Sequence, residues 1–123
     1  MGKVLIVCLF LFSCSSSSML KTSLYFGQSK PDGGMVSEKE WISFKEEYIS
    51  KVFKEGSTVL SASGNWMDTA TKKLITEPTY VVIYFHKKSP ALSKRIDSLR
   101  YWYEKLFQQQ SVLRVEEKVK ASF

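Results

Sequence analysis

Residues 80–86 read Tyr-Val-Val-Ile-Tyr-Phe-His, and this stretch decides the fold of the chain. Its residues are β-branched or aromatic up to the final histidine, with Pro78 before them and a Lys-Lys-Ser-Pro segment after them. The run is too short for a buried helix and is typical of a strand in a sheet interior. Alternation gives it one face with Val81, Ile83 and Phe85 and a second face with Tyr80, Val82, Tyr84 and His86. We expect function on the second face, because its side chains carry the polar groups.

Three further strands and two helices surround this central strand. Strand patterns occupy residues 22–28, 57–68 and 111–123, and Pro78 is expected to interrupt the chain ahead of the central strand. Ser37-Glu38-Lys39-Glu40 has the pattern of a capping box, which predicts the start of a helix that Gly56 ends. Ser89-Pro90 predicts the start of a second helix, with the serine as N-cap.

Both predicted helices carry an apolar stripe at helical spacing. In the first helix the stripe consists of Trp41, Phe44, Tyr48 and Val52, with Ile49 and Phe53 beside it. In the second helix it consists of Leu92, Ile96, Leu99, Tyr103 and Leu106. These positions predict the helix surfaces that pack on the sheet.

The order strand, helix, strand, strand, helix, strand predicts an α+β fold of the ferredoxin-like β-α-β-β-α-β type. An antiparallel sheet with strand order 4-1-3-2 forms one layer of this two-layer sandwich, and both helices lie on one face of the sheet. The first and third strands, which are richest in aromatic residues, then lie in the centre. The other sheet face is expected to be open.

The first 21 residues are predicted to export and tether the domain. A basic start and an apolar run at residues 4–12 are typical of a secretory signal. The run ends in Leu-Phe-Ser-Cys, which resembles the lipobox of bacterial lipoproteins and predicts acylation of Cys14. We predict a signal peptide at residues 1–13, lipidated Cys14 with a flexible tether at 14–21, and one domain at 22–123. The alternative is a buried core cysteine that follows an unrelated apolar run.

These features predict a protein of the bacterial cell envelope, anchored to the membrane by lipid. Lipobox sorting with Ser15 after the cysteine points to the periplasmic side of the outer membrane. The formal net charge is +6. A basic envelope protein is expected to face anionic lipid, glycan or peptidoglycan rather than nucleic acid.

The scarcity of cysteine and histidine excludes several chemistries. Cys8 leaves with the predicted signal and Cys14 is consumed by lipid, so the mature chain has no thiol nucleophile and no disulfide. A single histidine excludes a zinc site built from Cys and His. We predict no metal and no cofactor.

Six side chains are candidate ligand or interface residues: Tyr25, Trp66, Tyr80, Tyr84, His86 and Arg114. All except Trp66 are predicted to converge on the open sheet face. Phenols, an imidazole and a guanidinium around an apolar floor suit a small anionic or aromatic ligand. The alternatives are packing roles for the tyrosines, an exposed bystander role for the histidine and a carboxylate partner for the arginine. No residue is assigned a catalytic role.

Several spaced motifs resemble one protein family. They are Tyr-Phe-Gly-Gln-Ser at 25–29, Pro-Asp-Gly-Gly at 31–34, Gly-Asn-Trp at 64–66 and Ser-Val-Leu-Arg-Val at 111–115. With them, nearly the whole predicted domain resembles a family of small bacterial secreted proteins and lipoproteins, domain of unknown function 3574. The resemblance implies an envelope location and no known activity. The sequence departs from the family pattern at Ala70-Thr71, where a turn with glycine is expected, and at Ala121.

Three functions from different classes are compatible with these features. The first is a non-catalytic binding or interaction module whose open aromatic sheet face is covered by a second copy or an envelope protein. The second is a small isomerase or monooxygenase-like enzyme, with His86 or a tyrosine as acid or base and Arg114 holding an anion. The third is an RNA-binding sheet, which export disfavours. We favour the first, and the sequence does not identify a ligand or substrate.

The lipid anchor is directly testable. Because acylation requires the thiol of Cys14, labelled palmitate is expected to enter the wild-type chain in bacteria and to be absent from a Cys14→Ser variant. The label is measured on the immunoprecipitated protein, and a Cys8→Ser variant is the matched control that keeps it. A wild-type chain that never acquires label would contradict the anchor and the envelope location.

Overall fold

Four antiparallel strands form one sheet within residues 18–122, the part of the chain that this computed structural model describes. The strands are β1 (Ser18–Gly27), β2 (Thr58–Met67), β3 (Leu74–His86) and β4 (Leu113–Lys120). Their order is β2-β3-β1-β4, which is the predicted order 4-1-3-2 counted from the other edge. With one helical region between β1 and β2 and one between β3 and β4, the predicted α+β sandwich is confirmed. The predicted signal peptide and Cys14 lie outside the described residues.

Helix α1 contains a π-helical turn. It runs as α-helix over Glu38–Phe44, as π-helix over Lys45–Ile49 and as α-helix over Ser50–Val52, and we treat the three segments as one helix. The predicted capping box is present at its start. Ser37 Oγ accepts from Glu40 N at 3.1 Å, and the Glu40 carboxylate accepts from Ser37 N at 2.7 Å.

The π turn moves the buried side of α1 by one residue. Phe44 and the next buried residue, Ile49, are five positions apart, and buried Phe53 follows four positions later. A π turn closes its hydrogen bonds one residue later than an α turn, so the following side chains rotate around the axis. The predicted stripe through Tyr48 and Val52 is therefore wrong in this half of the helix, where both are only partly buried.

Helix α2 (Pro90–Phe107) begins as predicted, with Ser89 Oγ accepting from Leu92 N at 3.2 Å. Its buried residues are Leu92, Ile96, Leu99, Tyr103 and Phe107. Leu106, which the sequence predicted in this stripe, is 50% exposed. Phe107, not Leu106, lies four residues after Tyr103, and it takes the last position of the buried row.

Two strands start earlier than the sequence predicted. β1 begins at Ser18, which pairs with Lys120, so residues 18–21 of the predicted tether are strand. β3 runs unbroken through Pro78. Gln28 N donates to Pro78 O at 3.0 Å, so the backbone nitrogen of Pro78 also points to this side, just beyond the end of β1. The missing N–H therefore costs no ladder bond to β2.

An aromatic cluster around Phe26 fills the space between the sheet and the helices. The Phe26 ring centroid lies 5.5 Å from that of Trp41, 5.9 Å from that of Phe44 and 4.8 Å from that of Tyr103. These tilted and edge-on contacts are the arrangements that aromatic quadrupoles favour. Burial raises the pKa of the Tyr103 hydroxyl, which stays protonated and donates to Gly27 O at 2.8 Å. This bond joins α2 to β1.

The register of the central strands decides which side chains lie under the helices. Leu24 pairs with Val82 and Phe26 pairs with Tyr80, and Leu24 and Phe26 are fully buried in the core beneath the helices. The β3 face with Val82 and Tyr84 is therefore the covered face, and the prediction that it is open is wrong. The opposite side, which we call the open face, consists of Tyr25, Leu60, Val81, Ile83, Phe85, Leu113 and Val115 together with Lys21, Ser23, Thr58, Thr79 and Glu117.

The hydrogen bond between α2 and β1 gives a stability prediction. Tyr103→Phe leaves the partly buried Gly27 carbonyl without this donor, so the free energy of unfolding is expected to fall by about 1–3 kcal/mol in urea denaturation. Tyr101→Phe is the matched control on the same helix, where the ring is 51% exposed, and it is expected to stay within about 0.5 kcal/mol of wild type. Equal losses in the two variants would contradict the assignment.

Candidate functional site

The six predicted site residues do not meet in one place. Tyr84 and His86 lie together beneath the helices, with ring centroids 5.2 Å apart. Tyr80 stacks on Trp41 at 4.3 Å and an interplanar angle of 11°, so it packs against the core. Arg114 also points to the helix side, where its Nη1 donates to Ser93 O at 3.3 Å. The predicted convergence of these four residues on the open face is wrong.

Tyr25 and Trp66 are the two predicted residues that remain outside the helix layer. Tyr25 lies on the open face beside Leu113. Trp66 pairs with Ile75 near the turn of the β2–β3 hairpin and borders a separate cleft of about 380 Å³. That Tyr25 and Trp66 contact a ligand or partner stays a prediction.

A pocket of about 420 Å³ lies at one corner of the molecule, and we call it the corner pocket. It opens where α1 ends, β3 ends and α2 begins. Tyr84 and His86 line it from β3, and Val52 and Leu92 add apolar surface from the two helices. Its charged lining residues are Lys54, Glu55, Lys87 and Arg95.

The connections of the chain bring these residues to one corner. His86 ends β3 and Ser89 caps α2, so the strand passes into the helix within a few residues. Phe53 at the end of α1 stacks on Tyr84 with ring centroids 4.4 Å apart. Gly56 then turns the chain into β2 with a φ of +107°, a conformation that glycine adopts without strain.

The hydroxyl of Tyr84 faces the corner pocket without a partner. The residue is 6% exposed, and its Oη has no hydrogen bond to any of the described residues 18–122. In the same residues, every fully buried side-chain nitrogen or oxygen has a hydrogen-bond partner. Since the Tyr84 oxygen has none, it is not fully buried and accounts for part of the exposed surface of the side chain. Burial raises the pKa of Tyr84, Glu55 raises it further and Arg95 opposes both. The hydroxyl is therefore a neutral donor at ordinary pH.

His86 is a structural residue rather than the exposed bystander of our alternative interpretation. It is 5% exposed, and both ring nitrogens are engaged. Nδ1 donates to Lys87 O at 2.8 Å, because a carbonyl can only accept. Nε2 lies 2.7 Å from Oγ1 of Thr22, which is fully buried. A ring held at both nitrogens has no free position for acid–base work on a ligand.

A polar chain continues from Thr22 to helix α2. Thr22 Oγ1 donates to Glu116 Oε1 at 3.2 Å, and Arg114 forms an ion pair with Glu116. Arg114 Nη1 also bonds Asp97 Oδ1 at 2.9 Å. The hydrogen bond from Arg114 lowers the pKa of Glu116 against the opposing effect of burial. Arg114 thus has the carboxylate partner that we set out as the alternative, and it ties β4 to α2.

The open face is largely apolar and nearly free of charge. One row across the four strands consists of Leu60, Val81, Tyr25 and Leu113. Ile83, Phe85 and Val115 extend this row on β3 and β4. Lys21 and Glu117 on the same face pair with each other at 3.0 Å. The open face is therefore a largely apolar surface without net charge.

Sequence reasoning missed the cations of the corner pocket and most of the open face. Each cation lies near the terminus of a different element: Lys54 after the end of α1, Lys87 after the end of β3, and Arg95 in the first turns of α2. In the predicted topology α1 runs back from the end of β1 to its beginning, and β3 runs antiparallel to β1. The three segments must therefore meet at the same end of the sheet. The predicted topology alone was sufficient to place the three cations together.

The described residues 18–122 contain neither a metal-binding cluster nor a membrane-spanning helix. In that range no group of His, Cys, Asp or Glu side chains is arranged to hold a metal ion. Nor does that range contain a helix that is both long and apolar enough to span a membrane.

Solved structures share this fold, among them two of a phage SAM lyase. A phage SAM lyase in complex with S-methyl-5'-thioadenosine is 13% identical, with a TM-score of 0.59 over 84% of this chain and 90% of that chain. The phage SAM lyase in its apo state is 12% identical, with a TM-score of 0.61 over 86% and 92%. At such identities the likeness shows the fold alone.

Comparison at the level of sequence gives a family but no activity. No curated protein matches the chain significantly. The model of one family, described as a protein of unknown function, DUF3574, matches residues 21–123. This match confirms the resemblance inferred from the spaced motifs, and the chain belongs to the DUF3574 family.

Proposed function

We propose that this protein is a non-catalytic interaction module of the bacterial envelope whose open face binds a second copy of the same chain. The observation that carries the proposal is the apolar row across the open face, in which Tyr25, Leu60 and Leu113 are 36–57% exposed and surround Val81, which is 9% exposed. A large contiguous apolar patch on the surface of a domain usually marks an interaction site, because soluble proteins rarely leave such a patch exposed to water.

The size of the patch supports a dimer contact. Tyr25, Leu60, Phe85, Leu113 and Val115 are each about one-third to three-fifths exposed. Since aromatic side chains present roughly 150–250 Å² each and the aliphatic ones somewhat less, their exposed surface amounts to roughly 400 Å². A standard interface buries about 800 Å² per partner, of which somewhat more than half is apolar. The patch therefore matches one half of such an interface.

The distribution of charge supports a second copy over a partner of opposite charge. The chain has a net charge of +6, so two copies repel each other unless they meet through a neutral surface. The open face offers that surface, because Lys21 and Glu117 neutralise each other there. On β4, Lys118 pairs with Leu20 of the covered face and so points away from the open face. A two-fold contact between identical patches satisfies this condition.

The anchor in this proposal rests on the sequence around Cys14. If that residue carries lipid, β1 begins four residues later at Ser18, a reach of at most about 14 Å. The domain then lies close to the membrane surface instead of on a long tether. The anchor would then extend from the Ser18 end of β1, whereas Tyr25 of the proposed dimer contact lies seven residues further along the strand.

The enzyme alternative has less support from the geometry. It required His86 or a tyrosine to act with Arg114 in one pocket on the open face. His86 instead uses both nitrogens in the structure, and Arg114 is held by Glu116 and Asp97. The phage SAM lyase structures are enzymes with this fold, and that likeness adds no site residue here.

Dimer formation is testable by sedimentation velocity on a protein that begins at Ser15, which keeps every described strand and helix. The wild type is expected to be a dimer at about 100 µM. Leu113→Glu places two unpaired charges in a two-fold contact, one from each subunit. We therefore expect the dimer to be at least about 100-fold weaker, with an unchanged circular dichroism spectrum.

Leu106→Glu is the matched control for this prediction. Leu106 is similarly exposed, 50% against 57% for Leu113, but lies on α2 away from the open face. The control is expected to remain a dimer. A monomeric wild type, or equal weakening by the two substitutions, would contradict the proposed contact.

A further inference from the structure

The corner pocket combines features that the proposed dimer does not use. It lies on the helix side of the sheet, whereas the dimer contact is on the open face. Its volume of about 420 Å³ is within the range of small-molecule sites in proteins. The charge, the hydrogen-bond donors and the position of the pocket together indicate what it binds.

The pocket has a surplus of positive charge. Lys54, Lys87 and Arg95 line it, and among residues 18–122 none of the three forms an ion pair. Glu55 is the one acidic residue of the lining, so the surplus is two positive charges. Clefts lined by one sign of charge concentrate ligands of the opposite sign.

A hydrogen-bond donor faces this positively charged space. The Tyr84 side chain is 6% exposed, and its hydroxyl has no hydrogen-bond partner among the described residues. Because every fully buried side-chain nitrogen and oxygen of these residues has a partner, the hydroxyl is accessible from the pocket, where water or a ligand can accept from it. The hydroxyl is therefore available to an acceptor atom in the pocket.

The start of α2 adds to the attraction for an anion. Ser89 caps this helix and lines the pocket. The helix runs over eighteen residues, so its N-terminal end carries the positive pole of a full helix dipole. Oxyanions bind readily at such ends when cations and donors are also present.

From these observations we propose that the corner pocket binds a small organic phosphate monoester. Its charge of nearly −2 at neutral pH matches the surplus of the lining. Arg95, Lys54 and Lys87 surround the phosphate, and the Tyr84 hydroxyl donates to one of its oxygens. The organic part lies on Val52 and Leu92. The site binds and does not catalyse, because both nitrogens of His86 are already bonded.

Isothermal titration calorimetry with phenyl phosphate tests the proposal on the protein that begins at Ser15. Wild type is expected to bind with a dissociation constant below about 1 mM, Arg95→Gln to bind at least tenfold more weakly, and Tyr84→Phe at least threefold more weakly. Lys94→Gln is the matched control: it removes one positive charge from the adjacent position of α2, outside the pocket lining, and is expected to stay within twofold.

Three results would overturn the proposal. They are no measurable binding of phenyl phosphate to wild type, equal weakening by Arg95→Gln and Lys94→Gln, and tighter binding of benzoate, which has the same ring with a single negative charge. The Leu113→Glu variant keeps the whole pocket and is expected to bind phenyl phosphate like wild type. A failure of the dimer proposal and a failure of this one are therefore distinguishable.

A phosphate monoester reaches the protein either as a free metabolite or as a lipid headgroup, and a second experiment separates these sources. Phosphatidylcholine vesicles with and without phosphatidic acid are mixed with the same proteins and sedimented. Retention that depends on phosphatidic acid and on Arg95 supports a headgroup. Phenyl phosphate binding without such retention supports a free metabolite.

Discussion

The pairing of Leu24 with Val82 at the centre of the sheet is the constraint on which the rest of the structure depends. Both residues are fully buried, and together with Phe26 they mark the face that receives the helices. Because side chains alternate along a strand, this one pair assigns every other side chain of β1 and β3 to the covered or the open face. A shift by one residue would exchange the two surfaces, and with them the proposed dimer contact and the pocket.

The sequence predicted the fold well and the two faces of the central strand poorly. Capping boxes, turn residues and strand patterns are local signals, and they were sufficient for the order of elements and the sheet topology. Residues 80–86 are apolar on both sides, so alternation alone could not say which side the helices cover. The better signal was in β1, where buried Leu24 and Phe26 alternate with Ser23 and Tyr25. Tertiary pairing then decided the position of Tyr84.

Other differences between the predicted and the observed structure also have identifiable physical causes. The π turn at Lys45–Ile49 shifts the buried side of α1 from Tyr48 to Ile49, which no periodicity of an ideal helix predicts. Pro78 is tolerated inside β3 because its nitrogen points past the end of β1. Arg114 was expected at a ligand, but on the helix side of β4 it pairs instead with Glu116 and Asp97, both of which are partly exposed. Residues 18–122 thus form a domain with structural polar groups under the helices, a largely apolar face without net charge on the other side, and cations without ion-pair partners at one corner.

Hydroxyl-radical footprinting read by mass spectrometry tests the central claim, the assignment of the two faces, most directly. In dilute protein, Tyr25 and Phe85 are expected to be oxidised readily, while Tyr84 is protected beneath Phe53. At higher concentration protection is expected to appear at Tyr25 and Phe85 and to leave exposed Tyr101 on α2 unchanged. Oxidation of Tyr84 at the rate of Tyr25 in dilute protein would contradict the assignment.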